Sequence, residues 1–245
     1  MFGWYTTRLI KKRFNALRVE RKSIEILNSL RDDKGPILLA MNHASWWDPL
    51  IGLVLCERFL PYHTGSAPMD MEQWKTFRFM RRLGLFGLDP GHPDALREMV
   101  DHVSGLVEAR PRTVFVITPQ GAFTDVRTPI RVRPGLATLA TRLPHAKLYS
   151  VACEYAFWTD QRPEVFLRVT QVQRPVVSTI PGWQRAIKRG MQQNQDELGG
   201  LVVKRDPDAF DLLVACSGSR VNPAYDLMAK IRGRSTVVRS REHTA

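Results

Sequence analysis

Pro36-Ile37-Leu38-Leu39-Ala40-Met41-Asn42-His43-Ala44-Ser45-Trp46-Trp47-Asp48-Pro49 is the stretch on which the reading of the chain turns. Its first half is an uninterrupted apolar run, the pattern of a strand covered on both faces. The apolar residues that follow, 50–60, suit a helix of about three turns. Asp48-Pro49 resembles a helix start, with Asp as N-cap and Pro as the first helical residue. His43 and Asp48 therefore meet where a strand turns into a helix. In α/β proteins, ligands bind outside the carboxyl ends of the strands.

The flanking sequence repeats this alternation. Residues 62–67, 85–88, 114–117, 147–154 and 164–172 read as strands. Helices are expected over 71–83, 136–142, 182–198 and 208–215. The cleanest amphipathic helix is 93–109, with Leu96, Met99, Val100, Val103, Leu106 and Val107 on one face. Residues 1–31 read as helix, with Ile10, Phe14, Leu17 and Ile24 on one face and Lys11, Arg18 and Lys22 beside it. Strands alternating with helices predict an α/β fold: a single domain, its sheet mostly parallel or mixed, flanked by helices, with an N-terminal basic helix. The expected organisation is a basic amphipathic helix over 1–34 suited to a membrane surface, an α/β domain over 35–215, and a basic segment over 216–245 with a disordered tail.

The 245 residues carry a formal net charge of +12, concentrated at the chain ends. Such clusters attract polyanions, whether anionic lipid or nucleic acid. No recognised nucleic-acid motif accompanies them, which ranks a nucleic-acid binder below a membrane-surface protein. No run approaches the roughly 18 apolar residues that span a bilayer, and the N-terminus lacks the uncharged core of a signal peptide. The expectation is a protein that lies on a membrane, peripheral or monotopic, at its cytoplasmic face. The three cysteines, Cys56, Cys153 and Cys216, are far apart and fit reduced thiols. No metal-ligand spacing appears.

His43 and Asp48 are five positions apart. On one continuous helix they would point about 140° away from each other, so their pairing requires the chain to turn between them. Asp48 would then accept a hydrogen bond from one ring nitrogen and leave the other to take a proton from a hydroxyl. A substrate hydroxyl activated in this way attacks an acyl group with no protein nucleophile, the base half of a catalytic triad. Backbone N–H groups near Gly121 are candidate donors to the tetrahedral oxyanion. Trp46 and Trp47 either face an acyl chain or pack in the core.

Asn42-His43-x-x-x-x-Asp48 resembles the His-x4-Asp block of the glycerolipid acyltransferases, the group containing 1-acylglycerol-3-phosphate acyltransferase. Val116-Ile117-Thr118-Pro119-Gln120-Gly121 is similar to that family's Phe-Pro-Glu-Gly block. Arg133-Pro134-Gly135-Leu136 resembles the glycine-led helix after it, and Gly84-Leu85-Phe86-Gly87 faintly resembles the block between. The resemblance covers roughly residues 35–155. It implies His43 as general base and Asp48 as its orienting partner. It also implies acceptor contacts from Pro119, Gln120 and Gly121; Asn42 and Ser45 beside the motif are further candidate contacts, and Arg127, Arg131 and Arg133, or Arg81 and Arg82, are candidates to replace the arginines that the chain lacks. The donor would be a thioester, acyl-CoA or acyl-carrier protein, used as a co-substrate with no cofactor. The acceptor would be a lipid hydroxyl, such as that of a lysophospholipid or glycolipid, at an anionic membrane surface.

The chain departs from the family in the third block. Gln120 stands for Glu, and Ala122-Phe123 stands for the usual Thr-Arg. An arginine is also missing near Pro90. The resemblance associates those positions with a phosphorylated acceptor, whose bidentate contacts are lost here. The alternative to an acyltransferase is a catalytically inactive, lipid-binding relative.

Overall fold

The structure, a computed structural model, describes residues 2–158 and 160–215. In chain order it runs α1 (Phe2–Arg13), β1 (Ala16–Glu20), α2 (Arg21–Leu30), β2 (Ile37–Met41), α3 (Asp48–Phe59), β3 (Thr64–Asp70) and α4 (Met71–Thr76). A 3-10 turn (Arg78–Leu83) leads to β4 (Leu85–Leu88), α5 (Ala95–Ala109), β5 (Thr113–Ile117), α6 (Gly135–Arg142), β6 (Lys147–Ala156) and β7 (Glu164–Gln171). The long α7 (Ile180–Lys204) and β8 (Phe210–Ala215) complete the described chain. The strands make one sheet in the order β4-β3-β5-β2-β6-β7-β1-β8. Pairing is parallel from β4 through β6, antiparallel at β6–β7, parallel at β7–β1 and antiparallel at β1–β8. The chain is a single α/β domain with a mixed sheet flanked by helices, as its alternating pattern predicts.

Strand β2 lies mid-sheet between β5 and β6 and is buried throughout. Its side chains alternate between two cores. Ile37, Leu39 and Met41 join α1, α2 and α3 through Ile10, Phe14, Leu27, Ile51 and Leu55. Leu38 and Ala40 join α5, α6 and α7 through Met99, Leu136, Trp183 and Ile187. Helices on both faces explain why the run shows no polar alternation. Because β2, β5 and β6 are parallel, their carboxyl ends open on the same edge of the sheet, and the His43 turn and the loop after Ile117 emerge side by side.

Residues 1–31 are not one helix. Strand β1 interrupts them and pairs with β7 and β8, so a domain boundary at residue 34 would cut through the sheet. The stripe of Ile10, Phe14, Leu17 and Ile24 does reach one core, but from α1, the link after it, β1 and α2 in turn. Five residues are too few to distinguish a period of 2 from one of 3.6, and Arg18 and Glu20 look like solvated helix charges. Both are in fact buried. Arg18 pairs with Glu164 on β7, which also accepts from the Asn15 amide. Glu20 accepts from the Ser23 N–H and hydroxyl, which starts α2.

The expected helix over 208–215 is likewise the edge strand β8, held by its ladder to β1. The expected helix over 71–83 divides into α4 and a 3-10 turn. The basic segment 216–245 lies outside the described residues. Among the described residues, no helix is long and apolar enough to cross a membrane.

The Arg18–Glu164 pair is buried on both sides. Removing one partner from such a pair leaves an uncompensated charge, at a cost of about 3–5 kcal/mol. Glu164→Ala is therefore expected to lower the melting temperature by about 10 °C, at roughly 2–4 °C per kcal/mol for a domain of this size. Thermal unfolding followed by circular dichroism measures it, and an unchanged midpoint would show that the pair does not hold β1 in place.

Candidate active site

His43 lies two residues beyond the end of β2, and its Nδ1 is 2.8 Å from Asp48 Oδ2. The chain turns sharply between them. The Asp48 N–H donates to the Ser45 carbonyl at 3.1 Å, and the Ser45 N–H donates back to Asp48 Oδ2 at 2.8 Å. The Tyr155 hydroxyl, from β6, donates to Asp48 Oδ1 at 2.6 Å. The carboxylate is 1% exposed, so three donors supply what water would otherwise provide. Asp48 is not an N-cap: Trp47 occupies that position, and the carboxylate points back to Ser45 and His43 instead of forward into the helix. A carboxylate that accepts at Nδ1 requires the proton there, which leaves Nε2 of neutral His43 as an acceptor. Among the described residues, no hydrogen bond to Nε2 is formed.

The loop after β5 closes over the same histidine. Thr118-Pro119-Gln120-Gly121 is a turn with Gly121 N–H donating to the Thr118 carbonyl at 3.0 Å. Pro in second place and Gly in fourth follow the preferences of the commonest turn. The Gln120 side-chain oxygen accepts the His43 N–H at 2.9 Å, and the Thr124 N–H donates to the His43 carbonyl at 2.7 Å. His43 is thus held by its backbone on both sides and by its ring at Asp48. The Phe123 ring lies over the His43 ring at 4.2 Å while remaining 61% exposed. Gly121 has φ +69°, and a Cβ there would come within 2.6 Å of the Arg133 guanidinium. The positive φ favours glycine here, while the Arg133 side chain is flexible enough to move aside.

The expected site residues divide into three groups. His43, Asp48, Ser45, Gln120 and Gly121 come together, and Arg133 lies across Gly121. Arg131 is exposed further along the loop. Asn42 and Pro119 are buried and serve the framework. The Asn42 amide exchanges hydrogen bonds of 2.9 and 2.7 Å with the Cys153 backbone, fastening the end of β2 to β6. Pro119 receives the Arg133 N–H on its carbonyl. The Gly121 N–H itself is committed to its own turn, which leaves the neighbouring N–H groups of this loop as the candidate oxyanion donors.

Tyr155 and Phe123 are the residues that sequence reading missed as site members. Tyr155 follows Cys153 at a strand's period of two, which puts it on the Asp48 face of β6. Burial raises its phenol pKa, with Cys153 and Asp48 adding to the rise, so it remains a protonated donor. Phe123 showed only as an absent arginine.

Trp47 packs edge-on to Phe14 at the foot of α1, with centroids 5.0 Å apart, whereas Trp46 is 66% exposed. Phe14 also meets Tyr155 at 5.8 Å, which ties α1 to the site edge. Burial raises the thiol pKa of Cys153 and takes that of Cys56 to about 12, with Glu57 adding to it. Neither is a thiolate at neutral pH, and neither is a candidate nucleophile. Among the described residues, no three His, Cys, Asp or Glu side chains gather as a metal site.

No curated protein matches the chain. A family model described as Acyltransferase matches residues 18–154, more than half of the chain, from β1 through the residue before Tyr155. That span contains the His43–Asp48 turn and the loop that closes over it. The chain therefore belongs to the Acyltransferase family, the glycerolipid acyltransferase-like family that its His-x4-Asp block resembles.

Proposed function

We propose that this acyltransferase moves a fatty acyl group from a thioester, on coenzyme A or acyl carrier protein, to a hydroxyl of a lipid acceptor. The observation that carries the proposal is the 2.8 Å contact between His43 Nδ1 and the buried Asp48 carboxylate, at the open end of the central strand. Nε2 takes the proton of the acceptor hydroxyl as its oxygen attacks the thioester carbonyl. The tetrahedral intermediate then expels the thiolate, which recovers the proton from Nε2, and an ester and a free thiol leave. Asp48 stabilises the imidazolium formed between these steps, and Tyr155 and the Ser45 N–H hold Asp48 still. No protein nucleophile or cofactor is needed.

Phe123 bears on the acceptor. An aromatic ring against His43 gives the reacting hydroxyl an apolar neighbour where a phosphate would need a cation. This favours an acceptor without a phosphate next to the reacting hydroxyl, such as a glycolipid or a lysophospholipid whose head group reaches away from the loop. Arg133 is placed to meet a more distant anionic or polar group. The site edge also suits a membrane. Trp46, Phe123 and Phe157 are exposed at the carboxyl ends of β2, β5 and β6. On α1, Trp4 and Tyr5 are exposed together with Arg8, Lys11, Lys12 and Arg13. Aromatic rings and cations are the side chains that settle at an anionic interface. The reading is a peripheral or monotopic enzyme at the cytoplasmic face.

His43→Ala is expected to abolish transfer, with a loss of at least about 1,000-fold, and Asp48→Asn to reduce it about 100- to 10,000-fold, with both proteins folded. Release of free thiol from labelled acyl-CoA in the presence of lipid acceptors reports this. Turnover by His43→Ala at the wild-type rate would reject the mechanism. Wild-type protein that binds lipid but turns over no acceptor would support the inactive relative. Tyr155→Phe removes one charge-assisted hydrogen bond of roughly 1.5–3 kcal/mol. Its kcat should fall about tenfold or more with KM little changed, and equal kcat would leave Tyr155 only a packing role. Phe123→Arg should raise the rate on a phosphomonoester acceptor, lysophosphatidic acid, relative to an uncharged monoacylglycerol or glycolipid, by about tenfold. An unchanged ratio would remove Phe123 from acceptor choice.

A further inference from the structure

A second exposed surface lies away from α1, between β3 and β4. Neither α4 nor the 3-10 turn after it has a buried residue. Phe77 and Phe79 are each 46% exposed and meet edge-on at 6.4 Å. Lys75, Arg78, Arg81 and Arg82 surround them, all exposed. No acidic residue occurs between Gln73 and Leu88. A 3-10 turn brings residues three apart into line, so Arg78 aligns with Arg81 and Phe79 with Arg82.

The patch is tied to the sheet edge. The Trp74 indole N–H donates to the Leu85 carbonyl at 2.9 Å, and the Arg81 guanidinium lies 3.8 Å from the centre of the Trp74 ring. A cation held on an aromatic face is a stable pairing. Asp70 fastens the start of α4 by accepting the N–H groups of Glu72 and Gln73. The segment is therefore folded in place with its rings and cations outward.

Its location relates it to the site. Strand β3 runs parallel to β5 and continues beyond its last pairing with it, Ser66 with Phe115, so α4 begins on the edge where His43 emerges. The foot of α1 reaches that edge from beyond β2 in the strand order, on the side of β6, through Phe14 on Trp47 and Tyr155.

We propose that residues 74–82 are a second membrane-contact surface, which with α1 seats the site edge of the sheet on an anionic bilayer. The proposal rests on the membrane reading of the function and specifies the surface it uses. The cations match anionic head groups, and the exposed rings match the interfacial layer beneath them. Two anchors on opposite sides of His43 would hold the catalytic edge level with the lipid and present the site to an acceptor that never leaves the bilayer.

The test is co-sedimentation of the full chain with vesicles of phosphatidylcholine and phosphatidylglycerol (7:3) and of phosphatidylcholine alone. Two double variants are compared with wild type, Phe77→Ser with Phe79→Ser, and Arg78→Glu with Arg82→Glu. The second changes only exposed charges and guards against loss of fold in the first, and circular dichroism checks both. Binding to the anionic vesicles should fall at least tenfold in each. The charge variant should also lose most of its preference for anionic over neutral vesicles. Release of thiol from acyl-CoA with a detergent-dispersed acceptor should be unchanged, since neither variant touches His43. Binding by the charge variant within twofold of wild type overturns the proposal. Loss of binding to an acidic carrier protein, with vesicle binding intact, overturns it in favour of a protein partner. A wild-type protein that ignores both vesicles removes the membrane reading together with this surface, while the test of His43 in detergent stands apart.

Discussion

A buried carboxylate has to be satisfied by neighbours, and Asp48 meets this requirement by drawing three donors together. Ser45 supplies a backbone donor from its own turn, His43 a ring donor from the end of β2, and Tyr155 a hydroxyl from β6. The Asn42–Cys153 clamp fixes how far β2 can lie from β6, which sets the reach of Tyr155. Phe14 then packs on Tyr155 and on Trp47, so the N-terminal helix is positioned by the same group. Loss of any one donor would leave the carboxylate short of partners in a region of low dielectric, where that shortage is costly.

Much of this was legible in the sequence because it is local. The run Ile37–Met41 is short and apolar throughout, and its length and the Pro36 before it favour a strand covered on both sides over a buried helix. The geometry of a five-residue spacing requires a turn between His43 and Asp48, and the turn is present. The glycine of the third block also has a local reason, a positive φ beneath Arg133. What was not legible depends on distant partners. Arg18 and Glu20 in β1 look like surface helix charges until Glu164, 146 residues away, is placed beside Arg18. Residues 210–215 carry no period that separates helix from strand, and their ladder to β1 decides between them. Tyr155 could be assigned to a face of β6, but not to the Asp48 carboxylate, before the register of β2 and β6 was known. The N-cap reading of Asp48 failed for the same reason, since a carboxylate claimed by three other donors does not cap a helix.

The two sides of the active-site loop differ in character. Toward His43 it is committed: Gln120, Thr124 and Phe123 all bear on that one residue. Further along, the loop is stitched to α7, where the Gln192 side-chain oxygen accepts the Ile130 N–H and the Gln184 amide donates to the Val132 carbonyl. Gln195 likewise donates to the Val126 carbonyl. A helix from beyond the family-matched span thus shapes the segment that closes over the histidine. Changes in α7 can adjust the site without altering a residue that touches it.

The position of β1 between β7 and β8 governs how the chain can assemble. Strand β1 is made well before its partners, finding the first only after β7 has been made and the second only with residues 210–215. At about 5–20 residues per second, the 146 residues between Arg18 and Glu164 take roughly 7–30 s to synthesise. During that interval Leu17 and Val19 have no sheet to join, and Arg18 has no carboxylate. Contacts of such long range carry a high loop-closure entropy and form slowly. The parallel strands β2 to β6 can pair before then, which leaves an exposed sheet edge on β6 and an unpaired strand waiting to add near it. An unpartnered apolar strand beside an open sheet edge is an aggregation hazard, so truncation before residue 164 is a route to aggregation.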